Sequence, residues 1–265
     1  MTKRTIAEQY GYPISPGDIG IEIEAEAGNP FPINKQIPGD WVATTDGSLR
    51  GNSIEYVSAF PIKYESIDIH LKGLKDAIAK QGVKIRQSFR AGVHVHINMR
   101  PYKLDEIANF AAVYFILEHA LVRFCGDNRE GNLFCLRLED AEAPLFFLQE
   151  ALRNDNYGVF ETDNIRYASL NFRSLSRHGS LEFRAMETTP DLEKVGPWAK
   201  MLYQMREYAV RNPRNTYAEQ ISLLGPENWA EQIVGPELFK LIRYPSFNKD
   251  VMKSMRNVQT LLYIW

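Results

Sequence analysis

The sequence predicts an α+β protein built on a mainly antiparallel sheet. Three observations carry that prediction. Strand-like alternation fills the first part of the chain, helical patterns fill it from Asp191 onward, and no regular β-α-β alternation joins them. The length of 265 residues suits one large domain, or one domain with an appendage. With 45% hydrophobic and 24% charged residues, the chain has enough apolar surface for a genuine core. A formal net charge of −2 argues against a broad basic surface for gripping nucleic acid and leaves room only for a local basic channel.

Taken in order, DIGIEIEAE (Asp18 to Glu26) alternates isoleucine with polar residues, the period of a half-buried strand. A proline-punctuated loop, Gly28 to Gly39, follows, equally readable as a lid, a substrate loop or a surface connection. WVATTDGSL and NSIEYVSAF are two short strands around a Gly/Asn turn. Glu65 to Gln81 is helical, with Gly82 as its cap. VKIRQSFRAGVHVHINM supplies one or two more strands. Leu104 to Phe124 is a strong helix whose centre, AAVYFILEHALV, is apolar nearly all round, which suits burial or a subunit interface. Ala143 to Arg153 is a further helix. IRYASLNFRSL and GSLEFRAM read as an antiparallel hairpin with its loop around Ser176 to Gly179. The helical remainder is interrupted at Gly196-Pro197, Pro213, Pro226, Pro236 and Pro245. The division read from this pattern is a main α+β domain over 1–212 and a helical extension over 213–265.

Cys125 and Cys135 stand in no CxxC or Cys/His zinc spacing and read as two buried thiols of a reducing compartment. The N-terminal MTKRTIAEQYGY has no apolar signal core, and no run reads as long enough to span a bilayer. The expectation is a cytoplasmic protein with no membrane partner.

Chemistry enters through the polar faces of the strands. Residues two apart on a strand share a face, so Glu22, Glu24 and Glu26 form a row of like charges roughly 7 Å apart. The same rule pairs His94 with His96, Glu182 with Arg184, and Ser169 and Asn171 with Arg173, while Glu55 is an isolated acid in its strand. Any one of these faces could simply be solvated. Together they carry glutamate, histidine and arginine with almost no lysine. Several carboxylates plus imidazole suit Mg²⁺ or Mn²⁺, and two such ions could bridge the oxygens of a transferring phosphate. Arg173 and Arg184 would then face anions. There is no Walker or Rossmann glycine motif, so a nucleotide would be held through metals and arginines.

GIEIEAE, DGSLRGNSIEYVS, GVHVHI and LNFRSL…GSLEFR, in that order, resemble the carboxylate–amine ligases of the glutamine synthetase fold. The match is nearest to the amidoligase family of bacteria and phages, with glutamate–cysteine ligases as cousins, and covers roughly residues 17 to 190. It implies a curved antiparallel sheet with flanking helices, holding ATP and two or three divalent metals. It also implies a reaction in which a carboxylate becomes an acyl phosphate and an amine displaces phosphate. By position, Glu22 and Glu24 match the E-x-E metal pair, His94 the metal-binding histidine, Glu182 a further metal ligand, and Glu55 the acid of the second strand pair. His96 takes a substrate or phosphate role. Asn171, Arg173 and Arg184 approach the phosphates, and Asp46 is a candidate for positioning or deprotonating the amine. Tyr12, Trp41 and Tyr56 are the aromatics considered for stacking on adenine, beside a role in core packing. His119 reads as structural.

Two other classes compete: a metal-dependent hydrolase using the same glutamates and histidines, and a degenerate ligase fold acting as a binding module. The expected substrates are a small-molecule or peptide carboxylate and an amine, with nucleic acid entering only as a modified substrate. A homo-oligomer is compatible with the apolar helix.

Overall fold

The computed structural model describes residues 3–258 apart from positions 16, 46, 48, 50–52, 87, 130, 133, 134, 138–141 and 163–167. The elements are α1 (Ile6–Tyr10), β1 (Ile19–Gly28), β2 (Gln36–Ile37), β3 (Trp41–Thr44), β4 (Ser53–Ser58), α2 (Ile67–Gln81), β5 (Lys84–Arg86), β6 (Gly92–Asn98) and α3 (Leu104–Cys125). They continue as α4 (Glu142–Asn154), β7 (Leu170–Asn171), α5 (Ser174–His178), β8 (Ser180–Glu187), α6 (Val195–Arg211), α7 (Tyr217–Leu224), α8 (Pro226–Val234), α9 (Pro236–Ile242) and α10 (Phe247–Asn257). The fold is α+β, with one open antiparallel sheet and flanking helices.

The strands run in the order β2-β3-β4-β1-β6-β8-β7, with β5 also paired to β1. β1 is central because both its edges are used. β4 pairs with Glu22 to Glu26 along one edge, while β6 (Ile19 to Ile23) and then β5 (Glu26 to Gly28) share the other. The isoleucine alternation sends Ile19, Ile21 and Ile23 into the core, together with Val93, Val95 and Ile97 of β6 and Leu181 and Phe183 of β8. The glutamates and histidines are thereby placed together on the opposite face.

The apolar face is covered by helices. Phe110 and Tyr114 of α3 pack their rings on Phe183 at 5.2 and 4.9 Å, and α6 lies against α3 and β6. α3 is the apolar stretch foreseen in the sequence. At 22 residues it is long and apolar enough to cross a membrane, contrary to the expectation that no run would be, but it is mostly buried inside this chain. The interior accounts for its composition. α7 to α10 continue the same hydrophobic core: Trp229 lies edge-on to Tyr208 of α6 at 6.1 Å, and α10 packs on α3.

Two other expectations change. Gly196-Pro197 does not interrupt a helix, because both residues lie in the first turn of α6, where a missing N–H costs nothing. The hairpin around Ser176 to Gly179 contains the helical turn α5, and its first described strand is only two residues long. The Gly28 to Gly39 loop is anchored by buried Phe31 and includes the edge strand β2. Trp41 and Tyr56 take the core-packing role rather than the adenine-stacking one: both are fully buried among core residues, with Trp41 Nε1 donating to the His70 carbonyl at 2.9 Å.

Candidate active site

The polar face of β1, β4, β6 and β8 brings six of the foreseen residues within reach of one another. Register sets the arrangement: Glu22 lies opposite His94, Glu24 opposite Glu55, and His96 opposite Glu182. Glu22 is the hub. Its Oε2 is 3.3 Å from His94 Nδ1 and its Oε1 is 3.2 Å from His96 Nε2. His94 Nδ1 is also 3.5 Å from Glu182 Oε1, and its Nε2 is 3.6 Å from Glu24 Oε1.

Two sets of three donors have ligand atoms within 4.8 Å of one another: Glu22, Glu55 and His94, and Glu22, His96 and Glu182. Ligands on one octahedral Mg²⁺, at about 2.1 Å each, stand about 3.0 Å apart when adjacent and about 4.2 Å apart when opposite. Within those sets the spacings of 3.3 Å (Glu22 to His94) and 3.2 Å (Glu22 to His96) fall in that range. Carboxylate oxygens outnumber nitrogens, which suits Mg²⁺ or Mn²⁺. Glu24 belongs to neither set. It is 2% exposed, and its Oε2 accepts the Gly92 N–H at 2.8 Å.

The row of like charges is compensated by histidine and arginine. Burial alone would raise the Glu22 pKa, yet His96 and His94 hold it well below the usual carboxylate range. Burial would lower the His96 pKa, but Glu22 reverses this and raises it. Its Nδ1 is 3.1 Å from both Ser174 Oγ and Ser180 Oγ. Glu182 is likewise held low against burial, chiefly by Arg184, whose Nη1 donates to it. Asn171 Nδ2 donates to the same carboxylate at 2.7 Å. Glu26 lies apart, opposite Arg86 and Ser53 near the end of β1.

Arg173 leaves the strand face on which alternation placed it. It is the residue before α5, and its N–H donates to Asn171 Oδ1 at 2.9 Å. Asp46 lies outside the described residues. His119 is distant from this face, 3.6 Å from Asp250 of α10.

A pocket of about 200 Å³ opens beside Glu22 and His96, with Val57, Phe60 and Pro61 on its apolar side and Asn98, Arg100 and Ser180 on its polar side. Arg100 was missed in the sequence. Its guanidinium donates to the carbonyls of His178 and Pro13 and lies 4.9 Å over the Tyr12 ring. Tyr12 therefore supports this arginine. Arg129 was missed as well: it is 2% exposed and reaches the carbonyls of Ala91 and Met186 next to His94.

A buried carboxylate–histidine cluster on one face of an antiparallel sheet, flanked by guanidinium groups and an open pocket, has the donor set that could hold a metal ion. The family model described as "Putative amidoligase enzyme" matches residues 54–205, more than half of the chain, and the protein belongs to that family. No curated protein matches the chain.

Proposed function

We propose that this protein is an ATP-dependent carboxylate–amine ligase of the glutamine synthetase fold, working through an acyl phosphate with divalent metals. The observation that carries this reading is the pair of three-donor sets sharing Glu22 in a chain of the amidoligase family. Glu22, Glu55, His94, His96 and Glu182 fit Mg²⁺ or Mn²⁺, which would neutralise phosphate charge during transfer. Glu24 supports the cluster from the Gly92 N–H.

The pocket beside His96 is the proposed nucleotide seat. Its apolar wall takes the base, and Arg100 supplies positive charge at its edge. An oxygen of the substrate carboxylate attacks the γ-phosphorus of ATP, and ADP leaves with the electron pair of the broken P–O bond. The neutral amine then attacks the acyl carbon, phosphate departs with the C–O electron pair, and an ionised carboxylate acting as base takes the amine proton; Asp46 is the proposed acceptor. Arg184 and Asn171 stabilise the phosphates, while Arg173, carried off the strand face into the start of α5, no longer shares that role. The half-buried floor of the face keeps water from the acyl phosphate, which would otherwise hydrolyse. The acid is a small molecule or a peptide carboxylate, a modified nucleic acid group being the remaining option, and the setting is the reducing cytoplasm.

Calorimetric titration of ATP with and without Mg²⁺, on wild type and Glu22→Gln, tests the reading. Magnesium-dependent binding that the variant loses supports it. Absence of ATP binding in either condition refutes it in favour of a hydrolase or a degenerate binding module.

A further inference from the structure

Arg129 lies on none of the strands that carry the site, yet the fold delivers it there. The chain leaves α3 at Cys125 and passes Gly126, which packs so tightly on the Glu187 side chain that a Cβ would sit 2.2 Å from Glu187 Cδ. Three residues later Arg129 is 2% exposed. Its Nη2 donates to the Ala91 and Met186 carbonyls, each at 2.8 Å. Nη1 lies 3.9 Å from Cys135 Sγ, and buried Nε has no hydrogen-bond partner among the described residues. No carboxylate among the described residues pairs with the guanidinium. A buried charge without an acid partner is costly, so its place calls for an explanation beyond packing.

The two carbonyls identify what it holds. Ala91 immediately precedes β6, and Met186 belongs to β8. Between these strands the ladder is irregular: Val93 pairs with Met186 but Val95 with Phe183. One residue of β6, His94, thus faces two of β8, Arg184 and Ala185. Such a bulge re-aims side chains and removes regular ladder bonds at the place where it occurs. Arg129 ties the two strands together beside the bulge, through the Ala91 and Met186 carbonyls. Gly92 completes the unit: a Cβ there would be 3.0 Å from Arg129 Nη2 and 3.3 Å from His94 Nε2, while its N–H holds Glu24.

We propose that Arg129 is a positioning residue for the metal ligands, fixing β6 against the bulged strand β8 so that His94 and, through Gly92, Glu24 keep their places; this rests on the metal-dependent ligase reading. A strand staple with no such role would contribute to stability alone.

The test uses Mn²⁺ as the probe, titrated calorimetrically into the full chain, for wild type, Arg129→Gln and Arg129→Lys. Arg214→Gln serves as the destabilised control, because Arg214 is buried against Asn109, away from the site. Loss of an outer-sphere partner typically weakens metal binding about 10–100-fold. Arg129→Gln is expected to show that loss, Arg129→Lys a smaller one, and Arg214→Gln wild-type affinity. A folded Arg129→Gln binding within about twofold of wild type overturns the proposal, as does an equal loss in Arg214→Gln. Should the glutamine variant fail to fold, wild-type affinity in Arg129→Lys overturns it and a several-fold loss supports it. A wild-type chain that binds no Mn²⁺ removes the metal reading itself, and this inference with it.

Discussion

Replacing Glu182 by glutamine removes one charge and almost no volume, so the effect is set by what that charge holds. The carboxylate accepts from Asn171 Nδ2 at 2.7 Å and from Arg184 Nη1, and it is 6% exposed. An amide oxygen can keep the Asn171 bond, but a neutral amide leaves Arg184 without its counter-charge. Breaking a buried pair by removing one partner costs about 3–5 kcal/mol. The Arg184 side chain retains 22% exposure, so water softens the loss towards the lower figure. At about 2–4 °C per kcal/mol for a chain of this size, Tm should fall by roughly 6–12 °C. Calorimetry at pH 7 with a chelator present measures it. The pH dependence has a fixed sign. The Glu182 pKa is lowered on folding, so its contribution is present above the ordinary value of 4.5 and is lost as pH falls through the lowered one. The Tm gap between wild type and variant should therefore narrow as pH drops below 4.5. A variant within about 1 °C of wild type at neutral pH would refute the assignment of Glu182 as the anchor of Arg184.

Gly92→Ala places a methyl group between Arg129 and His94; overpacking of this kind costs about 1–3 kcal/mol, and Mn²⁺ affinity should fall with it. Unchanged melting and binding would show that the cradle has room to spare. Phe60→Ala strips an exposed wall of the pocket. Losing an aromatic contact worth about 1 kcal/mol should weaken Mg-ATP binding roughly fivefold with Tm unchanged; equal affinity would move the nucleotide elsewhere. Trp229→Ala should cost about 3–5 kcal/mol and shift one cooperative unfolding transition. Two resolved transitions would contradict a core shared between α6 and α8.

The strands of the site were legible because β1, β6 and β8 each have one wholly apolar face. Alternation in DIGIEIEAE, GVHVHIN and GSLEFRAM is a local property, and it put Glu22, His94, His96 and Glu182 each on the polar face of its strand without knowledge of register. What strand periodicity cannot see is a residue outside a strand. Arg129 sits in CGDNREGN, a segment rich in turn-forming residues, and only the wrap past Gly126 brings it to the face. The one available hint was a glycine opening each of the two segments, Gly92 and Gly126. Arg173 was misplaced for the complementary reason: the alternation runs on through LNFRSL, but the chain enters α5 before completing it. Trp41 and Tyr56 illustrate a third limit, since an aromatic residue on a short strand reads alike whether it faces a ligand or the core.

The burial of α3 has a consequence for how this protein is made. Its apolar surface is covered chiefly by β8, α6, α9 and α10, all of which lie later in the chain. On a ribosome the helix emerges, at about 5–20 residues per second, several seconds before those elements exist to shield it. During that interval it presents the same face to chaperones, to neighbouring nascent chains and to membrane-insertion machinery that reads apolar length. Shortening the chain before α10 would make that transient exposure permanent along one side of the helix, and insolubility rather than a smaller active enzyme would be the outcome.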